Sequence, residues 1–142
     1  LGTDGSAHGG LDLFREMRLF RCVINATQGV ASADSHIMPA ETLLSMATKG
    51  GAAALMEPGL GLLQNGAPAD LIAVDAGAPH LWPTQNLVPT LVESASGSDV
   101  RHSIVNGKLL MKNRELLTID AQRVRREAEL LFEKQPWLQN WK

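Results

Sequence analysis

The residues best suited to chemistry stand together at the start of the sequence, in Thr3-Asp4-Gly5-Ser6-Ala7-His8. An aspartate on a loop that opens into a helix offers a carboxylate as a metal ligand or a general base. Gly2 and Gly5 on either side let backbone approach a ligand closely. Thr-Asp-Gly also makes ordinary turns, so the segment alone leaves both uses open. The four histidines, His8, His36, His80 and His102, form no His-x-His pair and no i, i+4 pair. A zinc site takes three or four converging ligands, and no spacing here delivers them. His80, between Pro79 and Leu81-Trp82, and His102, in a strand-like run, read as structural histidines. Ser6 lies outside a Gly-x-Ser-x-Gly elbow. No glycine loop precedes a lysine in the pattern that cradles phosphate. Cys22 falls on a helical stretch without a nearby base. Met17, Met38, Met46, Met56 and Met111 read as core or interface filler.

The composition bounds what must position these groups. The chain has 142 residues, 44% hydrophobic and 20% charged, with a net charge of −2. That apolar fraction suits a folded domain and is too high for a disordered one. No run of about 18 apolar residues is present, so no membrane-spanning helix is expected. Leu1–Gly10 lacks the pattern of a secretory signal. A single cysteine excludes an internal disulfide and cysteine-pair metal motifs, and a reducing, cytoplasmic setting is expected. A chemistry-bearing loop within the first ten residues, behind a leading Leu1, suggests a segment of something longer.

Charge is unevenly spread. Residues 1–58 carry −2, residues 59–99 carry −4 and residues 100–142 carry +4. Between Lys49 and Arg101 there is no Lys or Arg, so this middle stretch is expected to be largely covered, by the chain itself or by a partner. In the basic third, Arg123, Arg125 and Arg126 alternate with Glu127, Glu129 and Glu133. This reads as a solvated helix face rather than a nucleic-acid surface. Aromatic residues make up only 4% of the chain, which leaves few platforms for base stacking.

Periodicity supplies the elements. Leu11–Gln28 reads as a helix with Leu13, Met17, Phe20 and Ile24 on one face and Gly29 as its stop. Ala31–Met38 reads as a loop. A second helix starts near Pro39, with Glu41 in its first turn and Leu43, Leu44 and Ala47 as its stripe. Gly50-Gly51 is expected to break it, leaving a short turn over Ala52–Met56. Leu60–Leu63 and Gln64-Asn65-Gly66 suggest a strand and a turn. Asp70–Asp75 suggests a buried strand. Leu87–Ala95 reads as a short helix. Residues 103–111 form a hairpin, because Asn106-Gly107 supplies the two positive-φ positions of a type I′ turn. Leu116-Leu117-Thr118 continues the sheet. Asp120 caps a helix over Ala121–Lys134, with Val124, Ala128 and Leu131 expected on its buried face. Trp137 and Trp141 are expected to pack back onto the fold.

Four segments, in order, resemble one family. Gly2-Thr3-Asp4-Gly5 followed by Leu11–Arg18 is similar to the last barrel strand, loop and helix of metal-dependent amidohydrolases. The branch is that of the chlorohydrolases and aminohydrolases, which includes the adenosylhomocysteine and methylthioadenosine deaminases. Pro39–Thr48 resembles the helix that follows. Gly66–Asp75 resembles a Gly-Lys-x-Ala-Asp-Leu strand, with Ala67 where that segment has Lys. Ser96–Arg101 through Val105–Lys108 resembles the closing hairpin. His8-Gly9-Gly10 stands where an Asn-Asn pair is common.

The resemblance implies an α/β fragment: the last strand and helices of a (β/α)8 barrel over residues 1–57, the C-terminal part of a small composite β-sandwich over 58–119, and a C-terminal helix and tail over 120–142. It implies metal-assisted hydrolysis of non-peptide C–N bonds, in which a divalent ion, zinc or iron, activates water against an aminopurine- or triazine-like compound. Asp4 takes the place of the last-strand aspartate that touches the metal and accepts the water's proton. The family's other ligands, a His-x-His and two later histidines, belong to upstream strands. One carboxylate does not hold a catalytic metal and one strand does not close a barrel. The chain alone is therefore expected to hold no metal and to be inactive. Its partners would be the upstream barrel half or further copies of itself, through an apolar face carried by Leu13, Met17, Phe20 and Ile24. The complete enzyme would take a small-molecule amine, and no nucleic acid or membrane. The alternative is a non-catalytic interaction or scaffold module derived from the sandwich.

Overall fold

The structure is a computed structural model and describes residues 1–5, 10–34, 37–57 and 59–135. Ser6, His8, His36, Trp137 and Trp141 lie outside the described residues. The chain folds as a helical layer beside a four-stranded antiparallel sheet. Residues 1–5 form no strand. An extended segment becomes a strand only against a ladder partner.

Helix α1 spans Leu13–Ile24. Asp12 starts it by accepting the Phe14 N–H through Oδ1 at 2.9 Å, which satisfies one of the free donors of the first turn. The helix overruns the expected stop at Gly29. It passes through a π-helical turn, Asn25–Gly29, into α2, Val30–Ser32, and ends at Ala33 with φ 53°. Gly29 serves close approach and not termination. A Cβ there would lie 3.1 Å from the Asp34 carbonyl oxygen and 3.3 Å from Ile37 Cγ2.

Helix α3, Ala40–Ala47, follows Pro39 as expected. The break after it falls at Thr48 (φ −111°, ψ −85°), and α4, Lys49–Ala54, runs straight through Gly50 and Gly51. The glycine pair therefore does not break the helix. Nor do residues 60–63 form the expected strand. Gly59 and Gly61 have φ of 103° and 70°, a left-handed backbone that an extended ladder does not accommodate. The resulting turn sits on the Thr48 break, where a Cβ on Gly61 would lie 2.6 Å from Thr48 C and 2.8 Å from Lys49 N. Gly61→Ala is expected to cost about 2–4 kcal/mol, from both backbone strain and collision with main chain. A lowered urea midpoint would register it; an unchanged midpoint would mean the turn does not rest on Thr48.

The core joins three helices. Met17, Ala40, Leu43 and Val92 are buried together, with Phe14, Phe20, Met38, Leu44, Met46, Ala47 and Val88 packed around them. Val92 belongs to α5, Leu87–Ser94, which forms where the sequence places it. Pro89 sits in its first turn, where a missing N–H costs nothing. The expected interaction face of α1 is only partly spent inside the chain: Met17 is buried and Phe20 packs on the core, while Leu13 is exposed. Besides Leu13, the exposed apolar residues of this helix region include Leu19, Val23 and Val30.

The sheet runs β1 (Leu71–Val74), β2 (Val100–Val105), β3 (Lys108–Lys112), β4 (Glu115–Leu116), each antiparallel to the next. The hairpin turns at Asn106 and Gly107 with φ of 48° and 72°, as Asn-Gly requires. β1 is not a buried strand. It is an edge, with Ile72 and Ala73 exposed. The middle stretch is likewise not covered by the chain, since Leu55, Met56, Leu63 and Trp82 are at least 70% exposed. Helix α6, Ala121–Glu133, starts at Asp120 as expected, with Oδ1 accepting the Arg123 N–H at 2.8 Å. Its expected buried face is open: Val124 and Leu131 are exposed and Ala128 is half-buried. A 3.6-residue period marks a face able to pack, and only the tertiary arrangement supplies a partner.

Candidate functional site

Asp4 lies on an exposed loop with φ 53°. Aspartate is one of the few side chains that tolerate this left-handed conformation. Added Cβ atoms on Gly2 and Gly5 would meet nothing within 4 Å, so the loop is open on both sides. Among the described residues, no group of three or more His, Cys, Asp and Glu converges where a metal ion could sit. The donor set described here therefore does not by itself fit a catalytic metal, which takes about three protein ligands.

The two described histidines are structural, as read from the sequence. His102 lies in β2, where its Nδ1 accepts the Asn113 N–H at 3.4 Å. His80 lies in a 3-10 turn, Pro79–Leu81, with Nε2 3.0 Å from Asp99 Oδ2. Cys22 is exposed.

Polar organisation concentrates at the turn Ser96–Asp99, at the start of the segment that resembles the closing hairpin. Ser96 and Asp99 form a capping box around the 3-10 turn Gly97–Asp99. Asp99 Oδ2 accepts the Ser96 N–H at 2.8 Å and the Ser96 hydroxyl at 3.0 Å. The Ser-x-x-Asp spacing is the signal that identifies it. Asp99 is buried. Burial pushes its carboxyl up, but the bonds from His80 and Ser96 outweigh this and hold it below the ordinary range. On β1's edge, the Arg101 guanidinium, at 2.9 and 2.7 Å, and the Gly77 N–H hold Asp75 low as well.

A depressed native pKa means that the stabilisation is full above the unfolded value of 3.8 and fades as the pH falls through the folded value. The melting-temperature gap between the native chain and Asp99→Asn is therefore expected to be widest above about pH 5 and to shrink below about pH 4. A gap constant down to about pH 2.5 would contradict the assignment of Asp99 as a native carboxylate.

Asp12 is a residue that the sequence reading missed. Its Oδ1 caps α1 and its Oδ2 accepts the Gly97 N–H at 3.0 Å, across 85 positions. Its place directly before the first residue of an amphipathic run is the usual mark of an N-cap. A separate apolar groove of about 370 Å³ lies between the Gly61 turn and β1, lined by residues including Thr48, Leu62, Ile72 and Ile104. Asp4 does not line it.

With this geometry in view, comparison with known proteins fixes the class. The profile of the amidohydrolase family matches residues 1–110, and the chain belongs to that family. Among its relatives are proteins named 5-methylthioadenosine/S-adenosylhomocysteine deaminase. The one from Haloquadratum walsbyi is 44% identical over 130 residues, covering 91% of this chain and 28% of the relative. The one from Syntrophobacter fumaroxidans is 48% identical over 126 residues, covering 87% of this chain and 28% of the relative. The fold is similar to that of an adenosine deaminase from Xanthomonas campestris crystallised with bound zinc, with TM-score 0.82 and 28% identity over 91% of this chain and 29% of the other. It also resembles the fold of an atrazine chlorohydrolase from Arthrobacter aurescens complexed with zinc, with TM-score 0.72 and 23% identity over 83% of this chain and 26% of the other. The chain thus spans under a third of the length of the curated relatives it matches.

Proposed function

We propose that this chain is the C-terminal segment of a metal-dependent hydrolase of non-peptide C–N bonds, acting on an aminopurine- or triazine-like amine. The observation that carries the reading is the match to deaminases over nine-tenths of this chain and under a third of theirs. In the complete enzyme a divalent ion, zinc or iron, would activate water. From this chain, Asp4 would supply one carboxylate donor and accept a proton at Oδ. The division into a barrel end (1–57), a sandwich segment (58–119) and a helix with tail (120–142) belongs to the same reading. So do a cytoplasmic setting and dependence on the upstream barrel half or on self-assembly. No helix among the described residues is long and apolar enough to cross a membrane.

The test is ammonia release from aminopurine nucleosides. The purified 142-residue chain with added zinc is expected to release none. The same chain assembled with an upstream polypeptide carrying the missing histidines is expected to be active. Zinc-dependent turnover by the chain alone, or an inactive but fully assembled pair, would refute the proposal.

A further inference from the structure

We propose that helix α6 pairs antiparallel with α6 of a second copy of this chain. Of the 13 residues of α6, only Ala128 is not exposed, and it is half-buried. An isolated helix of this length is marginally stable in water, and packing of an apolar face normally completes it. α6 carries such a face. At about 100° per residue, Ala121, Val124, Ala128, Leu131 and Phe132 fall within one stripe about 100° wide. The charges beside the stripe indicate what covers it. Arg123, Arg125 and Arg126 stand in the first half of the helix, and Glu127, Glu129 and Glu133 in the second. Between the caps Asp120 and Lys134, the first turn holds no acidic residue and the last turn no basic one. This polarity runs against the helix dipole, which favours acidic groups near the N-terminus and basic groups near the C-terminus. Contacts within the helix offset little of that. Arg123 Nε lies 3.6 Å from Glu127 Oε1, an exposed pair in the weaker order, with the base N-terminal to the acid. An oppositely directed helix of the same sequence matches the pattern. Its acidic half lies beside the basic half, and the two dipoles oppose. Centred on Arg126, the pair sets Ala121 of one copy level with Leu131 of the other, and Val124 level with Ala128. Arg123 of one copy then faces Glu127 of the other along one flank of the stripe. Arg125 faces Glu129 along the other flank. Each pair is offset by only about 3 Å along the axis, and the two-fold symmetry makes each contact twice. Parallel pairing would set like charges side by side.

Two short helices make a small interface, at the transient end of the known range, so the pair is expected to form at about 100 µM and to dissociate near about 1 µM. Sedimentation velocity of the 142-residue chain across that range is expected to show a monomer–dimer step. Charge exchange tests the contact. Arg123→Glu with Arg125→Glu makes both flanks acidic, and Glu127→Arg with Glu129→Arg makes both basic. All four positions are exposed, so circular dichroism and the melting temperature of the dilute chain should change little. Either double variant alone is expected to weaken dimerisation by about tenfold or more, as attraction on each flank turns to repulsion. An equimolar mixture of the two restores opposite charges and is expected to dimerise again. A single chain carrying all four exchanges is also expected to dimerise, and opposite charges recur in it only when the helices run antiparallel. A native chain still monomeric at about 100 µM would overturn the proposal and leave the stripe to another occupant, such as the upstream half. Self-association that neither double variant weakens would overturn it too, by placing the contact on another face. So would a fourfold variant that stays monomeric.

Discussion

Asp4→Asn is expected to lower kcat/KM of the assembled enzyme by about 10²–10⁴-fold, the range in which a positioned general base contributes, and to leave folding of this chain intact. The two halves of that expectation have separate physical origins. The amide is nearly isosteric with the carboxylate, and asparagine also tolerates the left-handed backbone found at Asp4 (φ 53°). Asp4 is exposed and belongs to no core cluster, so little packing is at stake. The amide, however, neither carries negative charge nor takes a proton near neutral pH. Activity would therefore fall with the melting temperature unchanged. An assembled variant that kept wild-type turnover would remove Asp4 from the chemistry, whatever the family resemblance. One that lost activity together with its fold would make Asp4 a structural residue.

The second large effect is on stability. Leu43→Ala is expected to destabilise the chain by about 2–5 kcal/mol, because a fully buried leucine loses both its transfer free energy and its packing partners. Leu43 stands at the centre of the cluster formed by Met17, Ala40 and Val92, where three helices meet and none can collapse without displacing the others. At about 2–4 °C per kcal/mol for a chain of this size, the melting temperature should fall by roughly 4–20 °C. Leu131→Ala, on the exposed face of α6, is the contrast and should change stability by less than about 0.5 kcal/mol. Comparable losses from the two substitutions would mean that α6 is packed in solution and that the helical cluster is not the dominant core.

The elements legible in the sequence were those whose signals are local. The Asn106-Gly107 hairpin, the Asp120 cap and the short helix after Asn86 need only a few neighbouring residues to specify them, and all three formed as read. The misreadings share a cause. Gly29, Gly50 and Gly51 read locally as punctuation, yet each lies inside a helix. A glycine's local freedom does not reveal whether the fold needs that freedom for a turn or needs the missing Cβ for close approach. The expected strand at residues 60–63 gave way to a turn seated on Thr48, a contact between segments that no window of sequence contains.

The same division holds for the site. The sequence by itself marked Asp4 as the carboxylate with chemical potential and, through four ordered segments, the family to which the chain belongs. Types and spacing are enough for that, because they are written along one dimension. Only the tertiary structure decided that the face carrying Met17 turns inward while Val124 and Leu131 remain open. It alone joined Asp12 to Gly97 across 85 positions and closed Asp99 onto His80. Burial and long-range hydrogen bonds depend on which surfaces meet, and that is fixed by the packing of whole elements rather than by the residues of any one of them.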